Sequence, residues 1–353
     1  MGLSENALLA CLAVILGLVL VLPFLAHKVE EELELFFLAM GVAAVTVSGL
    51  WDRHLVVEAL TGPIKIASAV LVFGLVFRWC RGWIHHHIAG LARVMGLGAF
   101  LFAAVVGLGL LSSVITVIVA SLVLVEVVAG VGLSEKDRTA VVIIACFAIG
   151  LGAALTPVGE PLSTIATLKL AGPPYHADFF FLARILWYWL LPGIVILGFL
   201  AAFWVRRAGH AKASQVKEEP ETLAAILGRA GKVYAFVAAL VLLGRGFTPV
   251  VDRYLVRMPG SGLYWLNTLS AVLDNATLAA AEISPKMDIN RIVFLLMGIL
   301  IAGGMLIPGN VPNIICAKQL RIRSRAWARL GLPLGAALMA VYFVLLRWFL
   351  EGV

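Results

Sequence analysis

A carboxylate and an amide stand side by side at Asp274 and Asn275 inside an apolar stretch, and a second carboxylate, Glu160, stands between Pro157 and Pro161. A carboxylate near the centre of a bilayer costs about 2.5–3.5 kcal/mol on insertion scales, so it tends to persist with a partner, a cation or a proton. Proline lacks a backbone donor and leaves earlier carbonyls unpaired. Freed carbonyls beside a carboxylate are the oxygen ligands that a hard cation takes. Hydroxyls at Thr156, Ser163 and Thr164 surround Glu160, amides at Asn310 and Asn313 lie in a second proline-interrupted stretch, and Ser112, Ser113 and Thr116 form a third polar group. This chemistry is reversible capture of a cation or a proton. The structural alternatives are a satisfied carboxylate or helix N-cap at Asp274, and polar groups that merely replace hydrogen bonds lost at a kink.

The two proline-interrupted stretches are versions of one phrase. Gly152 to Ala166 reads GAALTPVGEPLSTIA and Gly303 to Ala317 reads GGMLIPGNVPNIICA. At an offset of 151 residues Pro157 falls on Pro308 and Pro161 on Pro312, with Gly159 and Gly309 as further helix breakers. Paired Gly/Pro interruptions in corresponding halves of a membrane protein point to a secondary transporter with its site at the bilayer midplane. A second match, LSSVIT from Leu111 with LSAVLD from Leu269, has an offset of 158 and aligns Thr116 with Asp274.

These groups need elements to hold them. Apolar windows long enough to cross a bilayer lie near 8–25, 35–51, 63–79, 185–205, 233–250 and 330–346. Val94 to Val131 carries Glu126 as its only charge. It is too long for one crossing and has no polar loop to divide it, which predicts a re-entrant hairpin over about 94–131 with Ser112, Ser113 and Thr116 at its tip. A second hairpin is expected over about 261–283, and broken helices over about 140–168 and 292–317. The chain thus divides into an N-terminal half, 1–205, with three scaffold spans and the first repeat; a cytoplasmic linker, 206–232; and a C-terminal half, 233–353, with the second repeat. The fold class expected is an all-α polytopic membrane protein of eight crossings and two hairpins. Alternate loops hold 17 of the 27 Lys and Arg residues, which puts them in the cytoplasm, both termini outside, and the two repeats in inverted topology.

Composition supports a membrane protein and excludes much else. Hydrophobic residues make up 62% of the chain, charged residues 13%, and the mean hydropathy is +1.04, far from soluble averages. The formal charge of +7 follows from cytoplasmic loops rather than from a nucleic-acid partner. Cys11, Cys80, Cys146 and Cys316 have no metal or disulfide spacing. His85, His86 and His87 are consecutive, so they do not converge on one metal, and a solvated loop is expected. Glu126 and Glu282 read as interfacial acids near the hairpin bases. No catalytic motif is present, so no enzyme activity and no cofactor are expected; an intramembrane hydrolase using Asp274 and Glu160 as a pair would leave the repeats unexplained.

At LGAALTPVGEPLSTIA, LDNATLAAAEIS and GGMLIPGNVPNI the chain resembles a compact, poorly characterised prokaryotic family held to be cation transporters and known as a domain of unknown function. More distantly it is similar to the ion-transporter superfamily, with NhaD-type sodium/proton antiporters among its members. The resemblance implies two inverted repeats, an elevator-like movement, a prokaryotic inner-membrane location and room for a homodimer. It maps the ion site onto Ser112, Ser113 and Thr116 with Thr156 to Thr164, and onto Asp274 and Asn275 with Asn310 to Asn313. The function expected is a Na+/H+ antiporter. A sodium-coupled symporter of a small organic anion is the alternative, and a channel is a third class; two acids without a mid-membrane Lys or Arg favour the cation.

Overall fold

The computed structural model describes residues 4–26, 32–64, 94–206, 222–255, 257–271 and 275–352, with isolated positions at 29, 67, 68, 71, 72, 75 and 79. Asp274, Cys80, the His85–His87 cluster and most of the 206–232 linker lie outside the described residues. Among those described, every regular element is helical.

Helices α1 (Glu5–Leu25), α2 (Leu33–Ser48) and α3 (residues 53–64) open the chain. They pack with α8 (Leu223–Gly246) through Leu12, Phe37, Val45, Leu55, Ala239 and Leu242. The scaffold therefore draws on both halves of the sequence. Helix α8 starts about ten residues before the predicted span, because the Thr222 hydroxyl accepts from the Ala225 N–H at 3.2 Å and caps it. The segment expected to be linker up to 232 is partly helix.

A larger body surrounds the two broken segments. It contains α4 (Leu97–Gly130), α5 (Glu135–Ala153), α6 (Pro161–Lys169), α7 (Phe181–Arg206), α9 (Gly260–Leu266), α10 (Asn275–Glu282), α11 (Ile289–Gly303), α12 (Val311–Gln319) and α13 (Ser324–Leu346). Residues 140–153 of α5 and 292–303 of α11 are buried on every side. A helix buried all round reads as uniformly apolar, in keeping with the apolar runs that open the two predicted broken helices.

Four described helices are long and apolar enough to cross a membrane, α4, α7, α8 and α13 with its extension to Glu351; three shorter apolar helices lie over Glu5–Val19, Glu34–Ser48 and Ile289–Gly303. The predicted spans near 8–25 and 35–51 fall on α1 and α2. The predicted window at 63–79 begins inside α3 and continues largely outside the described residues.

Both predicted interruptions are present. The first stretch stops at Ala153 and resumes at Pro161; the second stops at Gly303 and resumes at Val311, with one 3-10 turn, Ile307–Gly309, between. Helix α4 is broken at Thr116, whose φ of 74° and ψ of 152° fall outside the helical region. The second polar element is a helix, α9, followed by a 3-10 segment, Asn267–Ala271, and then α10 beyond residues 272–274.

Candidate functional site

Glu160 and Asn310 occupy the same position in their respective breaks. Each is the extended residue immediately before a short helix, with φ and ψ of −152° and 161° at Glu160 and −150° and 148° at Asn310. Each carbonyl accepts from the residues three and four positions on: Ser163 and Thr164 at 3.2 and 3.3 Å, Asn313 and Ile314 at 3.1 and 3.3 Å. The Ser163 hydroxyl donates to Ala153 O at 3.1 Å, and the Asn313 amide donates to Gly303 O at 2.9 Å. These bonds equate the two breaks at an offset of 150. The proline alignment, at 151, is therefore displaced by one residue: the counterpart of Glu160 is Asn310, not Val311, and that of Ser163 is Asn313.

The cause of the register is a close approach at Gly159 and Gly309. A Cβ at Gly159 would collide with Ala153 O, and one at Gly309 with Gly303 O and Ser270 O. The chain must cross its own preceding helix end there, and only glycine leaves the space. Proline is tolerated throughout the first turn of a helix, so Pro161, first in α6, and Pro312, second in α12, are offset by one while the glycines stay in register.

The polar element ahead of each break is tied to it in matching ways. The Ser112 hydroxyl donates to Ile149 O at 2.9 Å, and the Ser270 hydroxyl donates to Ile299 O at 3.0 Å. Ser112 and Ser270 are 158 residues apart, as the LSSVIT and LSAVLD match requires, and their acceptors are 150 apart. At Gly159 O the donor is the Val117 backbone N–H, at 2.8 Å. At Gly309 O it is the Asn275 side-chain amide, at 3.1 Å in the orientation its surroundings dictate. Val117 and Asn275 are again 158 apart, so one repeat meets the break with its main chain and the other with a side chain.

The remaining predicted residues fall in these surroundings. Thr116 starts the second part of α4, with its hydroxyl 3.5 Å from the Val119 N–H. Thr156 donates to Ser113 O, and Thr164 donates to Pro157 O. Ser113 donates to Leu110 O at 2.7 Å. Each of these donating hydroxyls gives its proton to a carbonyl and keeps its lone pairs as acceptors. Ser112, Ser113, Thr116, Thr156, Glu160, Ser163, Asn275, Asn310 and Asn313 are all buried. Pro308 lies in the 3-10 turn of the second break and Pro312 in the first turn of α12.

Beside the breaks the halves come into direct contact. The Asn310 side chain lies against Gly150 of α5, where an added Cβ would stand 2.6 Å from Nδ2. Helices α6 and α10, which begin just after Glu160 and at Asn275, pack together through Ile165, Ala276 and Ala280. Glu126 and Glu282 are both buried within the protein.

Three contributors were not picked out from the sequence. Ser270 was contained in the LSAVLD match and could have been read by carrying Ser112 across. Asn267, fully buried, donates to Leu263 O at 3.0 Å. Lys169, the last residue of α6, donates its ammonium protons to Ala280 O and, at 3.1 Å, to Ile283 O. A cation on the last carbonyls of a helix satisfies orphan acceptors and opposes the dipole there. It joins the C-terminus of α10 to α6.

The comparison with curated proteins returns no match. A family model matches residues 9–349, almost the whole sequence, and the chain accordingly belongs to the family described as protein of unknown function (DUF1646).

Proposed function

We propose that the chain is a secondary transporter exchanging a monovalent cation for protons, with Na+ as the first ion to test. Two inverted repeats, each with a re-entrant hairpin and a broken helix, would carry out elevator-type alternating access. The observation that carries the reading is the sign of the buried charge. Among the described residues, the buried polar set contains Glu126, Glu160 and Glu282 and many hydroxyls and amides, but no Lys or Arg. A site for an anion needs an excess of donors. Here the buried charged groups are acceptors, the half-buried Lys169 is taken up by the carbonyls of Ala280 and Ile283, and Asp274, next to the buried Asn275, adds another acid.

In this reading Glu160 and Asp274 hold cation and proton in alternation. Freed carbonyls and the oxygens of Thr156, Ser163 and Thr164 supply neutral ligands. Asn275 and Asn310 brace the second break against the first. The resemblance to NhaD-type antiporters agrees with this scheme and with an inner-membrane location.

Proton flux in proteoliposomes, recorded on addition of Na+, K+, Li+ or Ca2+, tests it. A cation-triggered flux in the wild type that Asp274→Asn abolishes is the expected result. No response to any cation from folded, inserted protein removes antiport and directs the search to sodium-coupled uptake of organic anions. Flux that survives Asp274→Asn keeps the transporter and removes Asp274 from the ion path.

A further inference from the structure

The turn between α12 and α13 carries Lys318, Arg321, Arg323, Arg325 and Arg329 within twelve positions, all five exposed. No acidic residue occurs between Asp288 and Glu351, and among the described residues none of the five has an ion-pair partner. The other described turns differ. Residues 134–138 mix Glu135 and Asp137 with Lys136 and Arg138, and the turn after α6 pairs Asp178 with Arg184 at 2.9 Å. Positive-inside bias explains an excess of cations but not their complete freedom from acids.

The local electrostatics are unfavourable without an external anion. Arg325 lies in the first turn of α13, where the helix dipole disfavours a cation. Arg325 and Arg329 are four residues apart on that helix, a like-charge spacing that is destabilising. The same helix then exposes Leu332, Val341, Val344 and Leu345, a lipid-facing surface that would set the cations at headgroup level.

We propose that this turn is a docking surface for anionic phospholipid headgroups, and that a headgroup held there braces the second break. The link is short and specific. Trp327, fully buried inside this cationic run, donates its indole N–H to Gly304 O at 3.3 Å, the first residue after α11. Gly331 and Gly335 leave no room for a Cβ against Met305, so the first turns of α13 are seated on residues 304–305. Arginines that grip a headgroup thus fix the helix against which the break rests. The inference needs a membrane but does not depend on which ion, if any, is carried.

The test uses full-length protein titrated with phosphatidylglycerol or phosphatidylcholine, with retained lipid counted by native mass spectrometry and amide exchange followed over residues 304–310. Since each cation near an anionic surface contributes about a fivefold gain in partitioning, wild type should prefer phosphatidylglycerol by at least about tenfold. Combined Arg321→Gln, Arg323→Gln, Arg325→Gln and Arg329→Gln should remove the preference, and the same four changed to Lys should keep it. Phosphatidylglycerol should slow exchange over 304–310 in the wild type. Equal retention of both lipids, or a preference that persists in the Gln combination, overturns the docking surface. Unchanged exchange despite selective retention overturns the brace. If the Gln combination does not fold, salt decides on the wild type: a preference indifferent to 1 M salt, where the Debye length is ~3 Å, overturns the proposal.

Discussion

The first break and the second share a skeleton and differ in what they place upon it. Both use a donor ten residues downstream to claim the last carbonyl of the preceding helix, Ser163 on Ala153 and Asn313 on Gly303. Both cross that helix end at a glycine, and both are gripped by a serine from the polar element ahead. What appears twice is what the geometry demands. At the position where the backbone is most extended, however, one half has the acid Glu160 and the other the amide Asn310. The same backbone geometry carries an acid in one half and an amide in the other, so the unrepeated charge is where function is to be sought.

The largest effect should come from the shared skeleton. Gly159→Ala and Gly309→Ala would each drive a methyl into backbone carbonyls that cannot rotate away. Overpacking of this kind costs roughly 1–3 kcal/mol and occasionally more; with backbone on the receiving side, the upper end or beyond is expected. Gly309→Ala should be the worse of the two, because it meets carbonyls from both Ser270 and Gly303. Monodisperse yield and thermal midpoint in detergent measure this. Equal, near-wild-type midpoints would mean that the glycines are not what sets the crossing.

Glu160→Gln tests the difference between the halves. Gln has the shape of the acid, and an amide, Asn310, already stands at this position in the second half, so the midpoint should move by less than about 1 kcal/mol equivalent. Cation-coupled proton flux should fall at least about tenfold, the loss that follows from about 1.4 kcal/mol of lost ion stabilisation. A variant that unfolds would show that Glu160 is structural, and the comparison between halves would then lose its functional meaning.

Lys169 sharpens the comparison from the other end of the short helices. Helix α6 finishes on Lys169, which binds the carbonyls of Ala280 and Ile283, while α12 finishes on the exposed Gln319. Hydrogen bonds to a charged group contribute about 1.5–3 kcal/mol, so Lys169→Met should lower stability by that order and Gln319→Met should be nearly silent. Within the breaks, Asn313 holds two carbonyls, Gly303 at 2.9 Å and Leu306 at 2.8 Å, where Ser163 holds Ala153 alone. Asn313→Ala should therefore cost about 2–3 kcal/mol and Ser163→Ala about 1. Chemical denaturation of both variants in one detergent decides it, and the reverse order would deny Asn313 its second bond.

The existence of the breaks was legible in the sequence because proline and glycine have few other uses inside apolar stretches. Their register was not. Proline is tolerated anywhere in the first turn of a helix, so Pro161, first in α6, and Pro312, second in α12, align at 151 while the hydrogen bonds run at 150. The polar group at Ser112 to Thr116 was visible as an island of hydroxyls in Val94 to Val131, and the break falls within it, at Thr116. Lys169 and Asn267 escaped notice because their partners are main-chain atoms more than a hundred and just four residues away, and neither relation leaves a pattern of residue types. The early start of α8 was hidden for a related reason. Thr222 caps a helix whose apolar start is interrupted by Gly228, Arg229, Gly231 and Lys232 before the predicted span begins.

The turns that follow the breaks provide the smallest and most selective test. After the first break Asp178 receives two bonds from Arg184, at 2.9 and 3.0 Å, with both side chains more than half exposed; the second turn has no acid. The hydrogen bonds from Arg184 hold the Asp178 carboxyl below its ordinary range. A carboxyl lowered in the folded state stabilises only above its unfolded value, about 3.9, and the gain disappears as pH falls through the lower folded value. An exposed pair contributes little in any case. Asp178→Asn should thus have a slightly lower thermal midpoint than wild type at pH 7, and the two should coincide once the pH is below both values. The corresponding charge removal in the second turn, Arg323→Gln, has no carboxyl to release and should show no such convergence in lipid-free detergent. A pH-dependent gap there would mean that an acid outside the described residues reaches the turn, and the acid-free surface would have to be given up.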